Sequence, residues 1–354
     1  MRIVSTLLIL SSLGAPAQAP NLETKAQQYM QDQVARSGFS GAVLLGRSGK
    51  VLFARGCGLA NAEWNLPNTP RTKFRTGSIA KQFTAAAILL LQEQKKLSVQ
   101  DRISRYVEDL PVSWRAITLH QLLNHTSGIP NYTGSPDMPR INRLGASPRQ
   151  LLALVQDKPL QFSPGTRLSY SNTGYILLGM VIEKASGQPY AGFVEQRVFS
   201  PLGMRDTGYD ITGKVLPERA EGYQVKEGKL EHADFLDMSV PWAAGAFYST
   251  VEDLFRWSEA LAGGKLLSQE SRKQRVQVYS ETTLDGKHYG YGVVLAEQFG
   301  QPQHYHAGGV HGFTSSLEWY PQSRVSVVVM SNVESVRSWD IATGLAALVL
   351  DGPR

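Results

Sequence analysis

The chain has 354 residues, of which 42% are hydrophobic and 19% charged. That balance excludes wholesale disorder and a collagen-like fibre, and the length allows one large domain or two intertwined ones. Lys and Arg number 36 against 30 Asp and Glu, a formal charge of +6, which supports no more than a mild attraction to anionic surfaces.

The N-terminus has the pattern of an exported protein. Met1-Arg2 supplies a positive start, Ile3–Leu13 an apolar run, and Ala15-Pro16-Ala17 or Ala17-Gln18-Ala19 a small-residue cleavage site. Cutting after Ala17 is preferred, because the second site places Pro20 directly after the scissile bond. Residues 1–17 are therefore expected to be a signal peptide, and the mature chain to be periplasmic or secreted, with no integral membrane segment.

Asn21–Gly38 reads as a helix. Gly41–Leu45 and Val51–Gly58 flank Ser48-Gly49-Lys50, a hairpin signal. The single cysteine, Cys57, lies in this second run, so no intrachain disulfide exists, and a buried spectator is expected. Ser78–Gln94 is a strong helix that is apolar almost all round, and it should be buried.

The middle carries helical spacing at Leu119–Leu123, Pro148–Gln156, Thr173–Ala185 and Tyr190–Val198. Gly187 ends the third of these. Thr250-Val251-Glu252-Asp253 resembles a capping box ahead of a helix over Val251–Leu261. Strands return at Phe313–Tyr320 and Val325–Met330, and Ile341–Leu350 closes the chain as a helix. The densest basic spots, Lys95-Lys96 and Arg272-Lys273, lack interleaved aromatics, and each reads as a solvated face rather than a nucleic-acid surface. The order predicts an α+β fold. An antiparallel sheet is built from both chain ends, terminal helices pack on it, and an all-helical region is inserted between. The sheet region spans about 20–80 and 245–354, and the helical region about 81–244, within one domain over 18–354.

Three elements carry chemistry. Ser78 and Lys81 stand at i and i+3 of a helix, on one face, with Cβ atoms roughly 5–6 Å apart. A serine hydroxyl needs a base. Lysine serves only if its pKa falls from about 10.4 toward 7, which burial imposes. Gly77 precedes Ser78 at the helix start, where free N–H groups also stabilise an oxyanion. Tyr170-Ser171-Asn172 follows a turn at Phe162-Ser163-Pro164-Gly165. In an extended segment the phenol and the amide enter one cleft together; alternatively, Asn172 caps the next helix and Tyr170 packs. His306-Ala307-Gly308-Gly309 leads toward a strand, and its glycines admit a ligand close to the backbone. His304 and His306 also raise a zinc reading, but no carboxylate or cysteine with ligand spacing joins them, so no metal and no cofactor are expected. His120, His125, His232, His288, His304 and His311 are read as core or surface residues. A Gly-x-Ser-x-Gly elbow, a phosphate loop, His-Glu-x-x-His and a dinucleotide fingerprint are all missing.

Taken together, these elements resemble the class C β-lactamase-like serine hydrolases, which include D-alanyl-D-alanine carboxypeptidases, D-aminopeptidases and esterases. The likeness runs from about Ala26 to Leu350. It rests on Phe74–Lys81, on Leu122-Leu123-Asn124-His125-Thr126-Ser127-Gly128-Ile129, on Pro164-Gly165 with Tyr170–Tyr175, and on Ala243–Thr250. The resemblance implies a β-lactamase/transpeptidase-like fold and an acyl-enzyme on Ser78. Lys81 would be the base, Tyr170 would share the proton traffic, and Asn172 would orient base and substrate. The N–H groups of Ser78 and Gly309 would form an oxyanion hole, with Gly308 beside them in the substrate-binding set, and His306 would count among the catalytic residues. True class C β-lactamases carry Lys-Thr-Gly where this chain has His306-Ala307-Gly308. Histidine is mostly neutral at pH 7, so a peptidase or esterase fits better than a β-lactamase, and acidification is expected to charge His306 and favour anionic substrates. The alternatives are a β-lactamase, or a catalytically weak penicillin- or peptide-binding sensor or scaffold. The expected partner is a small-molecule or peptide substrate.

Overall fold

The computed structural model describes residues 21–280, 283 and 285–351; the expected signal peptide lies outside them. Helix α1 (Leu22–Ser37) starts where the Asn21 side chain accepts from the Thr24 N–H, and stops at Gly38 in the left-handed conformation. It leads into the hairpin β1 (Gly41–Arg47) and β2 (Lys50–Cys57). The sheet is completed late in the chain by β3 (His288–Tyr289), β4 (Val294–Gln298), β5 (Gln301–Val310), β6 (Phe313–Tyr320) and β7 (Val325–Ser331). Its order is β3-β4-β5-β6-β7-β1-β2, and every pairing is antiparallel.

Alternation along β1 divides the core in two. Val43 and Leu45 face one side with Val325, Val327 and Val329, where Ala26 and Met30 of α1 meet Ile341 and Leu345 of the last helix. Ala42 and Leu44 face the other side with Val328 and Met330, joining the larger cluster. At the centre of that cluster is α2 (Ala80–Glu93), whose residues are nearly all buried. Around it pack α3 (Leu119–Leu123), α4 (Pro148–Ala153), α5 (Asn172–Ser186) and α6 (Tyr190–Val194), then α7 (Val251–Gly263) and α8 (Gln269–Arg275). The chain closes with α9 (Ser338–Leu350) on the other face of the sheet.

Several boundaries differ from expectation. The helix predicted from Ser78 opens as a single 3-10 turn, Gly77–Ile79, before α2 begins. The one predicted over 148–156 ends at Ala153. That predicted over 190–198 widens after Val194 into a π-type turn over Glu195–Phe199. The middle is not wholly helical, because Tyr223–Lys226 pairs with Lys229–His232, and Gly208–Tyr209 joins a small three-stranded sheet with Phe247–Ser249 and Phe74–Arg75. Cys57, expected to be buried, is half-buried at the end of β2, and burial pushes its thiol pKa up. Among the described residues, no helix is long and apolar enough to cross a membrane.

Candidate active site

The site begins with a backbone contact. Gly77 sits at φ +51°, and a Cβ there would lie 2.6 Å from the Gly309 nitrogen. A Cβ on Gly308 would lie 2.1 Å from the Thr76 carbonyl oxygen and 3.0 Å from the Ser78 nitrogen. Only glycine fits at both places, so β5 is pressed directly against the turn that bears Ser78. Ser315 on β6 fastens this contact, its hydroxyl donating to the Thr76 carbonyl at 2.7 Å.

One turn later Lys81 is completely buried. Its Nζ lies 3.0 Å from Ser78 Oγ, 2.8 Å from Asn172 Oδ1 and 2.8 Å from the Ala244 carbonyl oxygen. It also lies 4.8 Å from the centre of the Tyr170 ring. Each of these neighbours is uncharged, and burial alone holds the amine well below its ordinary pKa. A neutral amine has two N–H groups and one lone pair. With Asn172 Oδ1 and the Ala244 carbonyl accepting the two protons, the lone pair is left for the Ser78 hydroxyl.

Ser171 is extended (φ −139°, ψ 118°), which sends Tyr170 and Asn172 to the same side. Asn172 is the first residue of α5, not its cap, and its backbone N–H donates to Asn131 Oδ1 at 3.1 Å. Tyr170 is half-buried with its hydroxyl enclosed, and its pKa is raised by desolvation, an effect that Ser78 partly offsets. Its hydroxyl makes no hydrogen bond of good geometry.

The sequence reading missed the residue that holds Tyr170 in place. The His125 carbonyl accepts from the Ser169 N–H at 2.9 Å, and its Nδ1 accepts from the Ser171 N–H at 3.2 Å. Both neighbours of Tyr170 are thus pinned by one histidine, whose ring lies 4.3 Å from that of Tyr170. Because Nδ1 accepts, the proton belongs on Nε2. Burial, and then Lys81 and His306, keep His125 neutral by holding its pKa well below 6.5. The loop bearing His125 was visible in the sequence; its distant partners at 169 and 171 were not.

His306 lies behind this cluster rather than in the open cleft. Its Nε2 is 2.8 Å from the Tyr289 hydroxyl and its Nδ1 is 2.6 Å from the Ala307 carbonyl oxygen. Burial, then Lys81, push its pKa down to about 3. The expected charging of His306 on mild acidification therefore does not occur. His304, two residues earlier on β5, lines a different cavity. Among the described residues, no three His, Cys, Asp or Glu side chains gather as metal ligands would.

Ser78, Asn172 and Gly309 open onto a cavity of about 280 Å³, walled by Tyr132, Met138, Asn142, Leu236, Val240 and Val310 among others. Met138 and Asn142 come from a short helix over Met138–Leu144. Among the described residues, no Lys, Arg, Asp or Glu lines this cavity, and His311 is its one basic side chain. Arg75 and Arg219, in a neighbouring cavity, are both held by Asp210, at 2.8 Å and 3.2 Å.

Comparison with known proteins gives the family and the fold. A family model described as Beta-lactamase matches residues 25–351. A putative penicillin-binding protein, PbpX, of Bacillus subtilis (strain 168) is 30% identical over 310 residues, covering 87% of this chain and 74% of the relative. The structure of a D-stereospecific amidohydrolase from Streptomyces aligns with a TM-score of 0.80 at 27% identity, covering 94% of this chain and 100% of the other. A D-amino acid amidase from Ochrobactrum anthropi SV3, crystallised with L-phenylalanine amide, gives a TM-score of 0.80 at 26% identity, with 93% and 96% covered. The chain thus belongs to the beta-lactamase family, within the class C beta-lactamase-like serine hydrolase superfamily, and has the β-lactamase/transpeptidase-like fold.

Proposed function

We propose that this protein is an exported serine hydrolase that cleaves an amide or ester through an acyl-enzyme on Ser78. The observation that carries the reading is the 3.0 Å approach of Lys81 Nζ to Ser78 Oγ in a pocket without a counter-ion. Lys81 takes the hydroxyl proton as Oγ attacks the carbonyl carbon. The N–H groups of Ser78 and Gly309 receive the negative charge on the carbonyl oxygen. The tetrahedral species collapses, the leaving amine or alkoxide gains a proton by way of Tyr170, and water then hydrolyses the ester to Ser78. Asn172 fixes Lys81 and offers its amide to the substrate. His306 acts from behind, ordering Tyr289 and the strand that carries Gly309.

The cavity favours an amide or ester of a D-amino acid over a substrate with a free carboxylate, since among the described residues neither Lys nor Arg lines it and His311 is its one basic wall residue. The same feature argues against efficient β-lactam turnover, in agreement with His306 in place of a permanent cation. The D-stereospecific neighbours support the same substrate class. The test is the intact-protein mass after exposure to a fluorophosphonate or a labelled penicillin. A single adduct on the wild type that is lost in Ser78→Ala is expected; failure of both probes to label the wild type overturns the reading. A panel of D-amino-acid amides, D-Ala-D-Ala peptides, short p-nitrophenyl esters and nitrocefin then ranks the acyl donors.

A further inference from the structure

A second cavity, of about 400 Å³, lies further along the same sheet, between α7, α8 and the ends of β5 and β6. That volume is in the range of small-ligand sites. Its wall includes Arg272, Arg275, Arg324, Glu259, His304 and Trp319. Arg272 belongs to the Arg272-Lys273 pair expected on a solvated face. Lys273 is exposed as expected, but Arg272 turns inward.

Arg275 is the unusual member. It is only 6% exposed. Its Nη2 donates to Gln82 Oε1 at 2.9 Å, an oxygen already shared with Trp257 Nε1 at 2.9 Å. Its Nε is buried without a hydrogen-bond partner. Among the described residues, no carboxylate forms an ion pair with it. Burial lowers its pKa to about 10, so it remains charged at neutral pH. Arg272 repeats the pattern: Nη1 donates to the Ala262 carbonyl at 2.8 Å, while Nε is buried and unpaired. A buried charge without a counter-ion is costly, and a native fold retains one where something completes it. Among the described residues the only acid on the wall, Glu259, is engaged by Ser326 at 3.2 Å. His304 is held neutral, with its pKa lowered to about 4 by burial and then by Arg275, so it has one ring N–H to donate and adds no charge of its own. Three guanidinium groups therefore face one carboxylate around an open cavity.

We propose that this cavity is a binding site for a small oxyanion-bearing molecule, a carboxylate or a phosphate, anchored by Arg275 and Arg272. Each guanidinium keeps one Nη outside its bond to Gln82 or Ala262, and an oxyanion can accept from both. The site uses no residue of the Ser78–Lys81 cluster and stands independently of the acyl-enzyme reading.

The test is isothermal titration of the full chain with inorganic phosphate and, separately, with succinate, at matched chloride ionic strength. Saturable 1:1 binding of at least one is expected, with a Kd of about 1 mM or tighter. Binding of phosphate alone assigns a phosphate ligand and binding of succinate alone a carboxylate ligand. Arg272→Gln is expected to weaken binding about tenfold or more, while its labelling by penicillin stays at the wild-type rate and shows that the chain is folded. Arg275→Lys, which keeps the charge but not the fork, is expected to weaken it as well. Absence of saturable binding of both anions, or equal affinity in wild type and Arg272→Gln, overturns the proposal.

Discussion

Lys73 and Lys81 lie at the two ends of one short segment, and both are buried, yet their surroundings are opposite. Lys73 faces Asp206 at 3.0 Å and Glu218 at 3.6 Å, and its Nζ also reaches the Pro217 carbonyl at 3.3 Å. Lys81 meets only neutral oxygens and aromatic rings. The carboxylates around Lys73 make it a cross-link between segments. The dry pocket around Lys81 lowers its pKa, as the proposed role of base requires.

Exchanging their properties breaks this comparison. Lys81→Arg retains positive charge but cannot act as a base, and it is expected to slow Ser78 acylation by roughly 10²–10⁴-fold. Lys73→Arg leaves acylation within about twofold of wild type. Rapid-quench labelling with the penicillin probe measures both. Acylation of the wild type should fall as the pH drops through the depressed pKa of Lys81, since only the neutral amine accepts the proton. A profile governed by His306 is not expected, because that group titrates near 3.

A third buried ionisable group sharpens the contrast. Glu318 accepts from Tyr320 at 2.7 Å and from Thr343 at 3.3 Å, yet burial pushes its pKa up to about 7 from an ordinary 4.5. Its folded form binds the proton more tightly than its unfolded form. Stability from this group is therefore complete below about pH 4.5 and is lost as pH rises toward 7, by on the order of 3 kcal/mol. Glu318→Gln should flatten that part of the pH–stability curve in urea titrations. Smaller effects separate the two lysines. Lys73→Met is expected to cost about 1–2 kcal/mol because it strands two partly exposed carboxylates. Lys81→Met is expected to stay within about 1 kcal/mol of wild type, since the lost hydrogen bonds are offset by relief of a buried amine. Melting curves at neutral pH distinguish them.

Local relations were the legible ones. Ser78 and Lys81 are three residues apart, and a helical repeat alone joins them. Asn21, Gly38, Gly187 and Thr250 act at helix ends as their chemistry dictates. The hairpin at Tyr223–His232 carried a signal that was passed over: Lys226 pairs with Lys229 around Glu227 and Gly228, both at positive φ, as a two-residue hairpin loop requires. What stayed hidden depends on distance along the chain. His125 works through residues 169 and 171, His306 is neutralised by burial among residues from other elements, and Arg275 bonds a glutamine on α2. A sequence names such side chains but not the dielectric around them, and here the dielectric sets their charge.

The central claim is that Lys81 is a neutral amine in the resting enzyme. It is tested most directly by NMR titration of lysine ¹³Cε resonances, with Lys81 assigned by its loss in Lys81→Met. The account predicts that the Lys81 resonance titrates well below the ordinary 10.5. A Lys81 resonance that remains that of an ammonium up to pH 10 would contradict it.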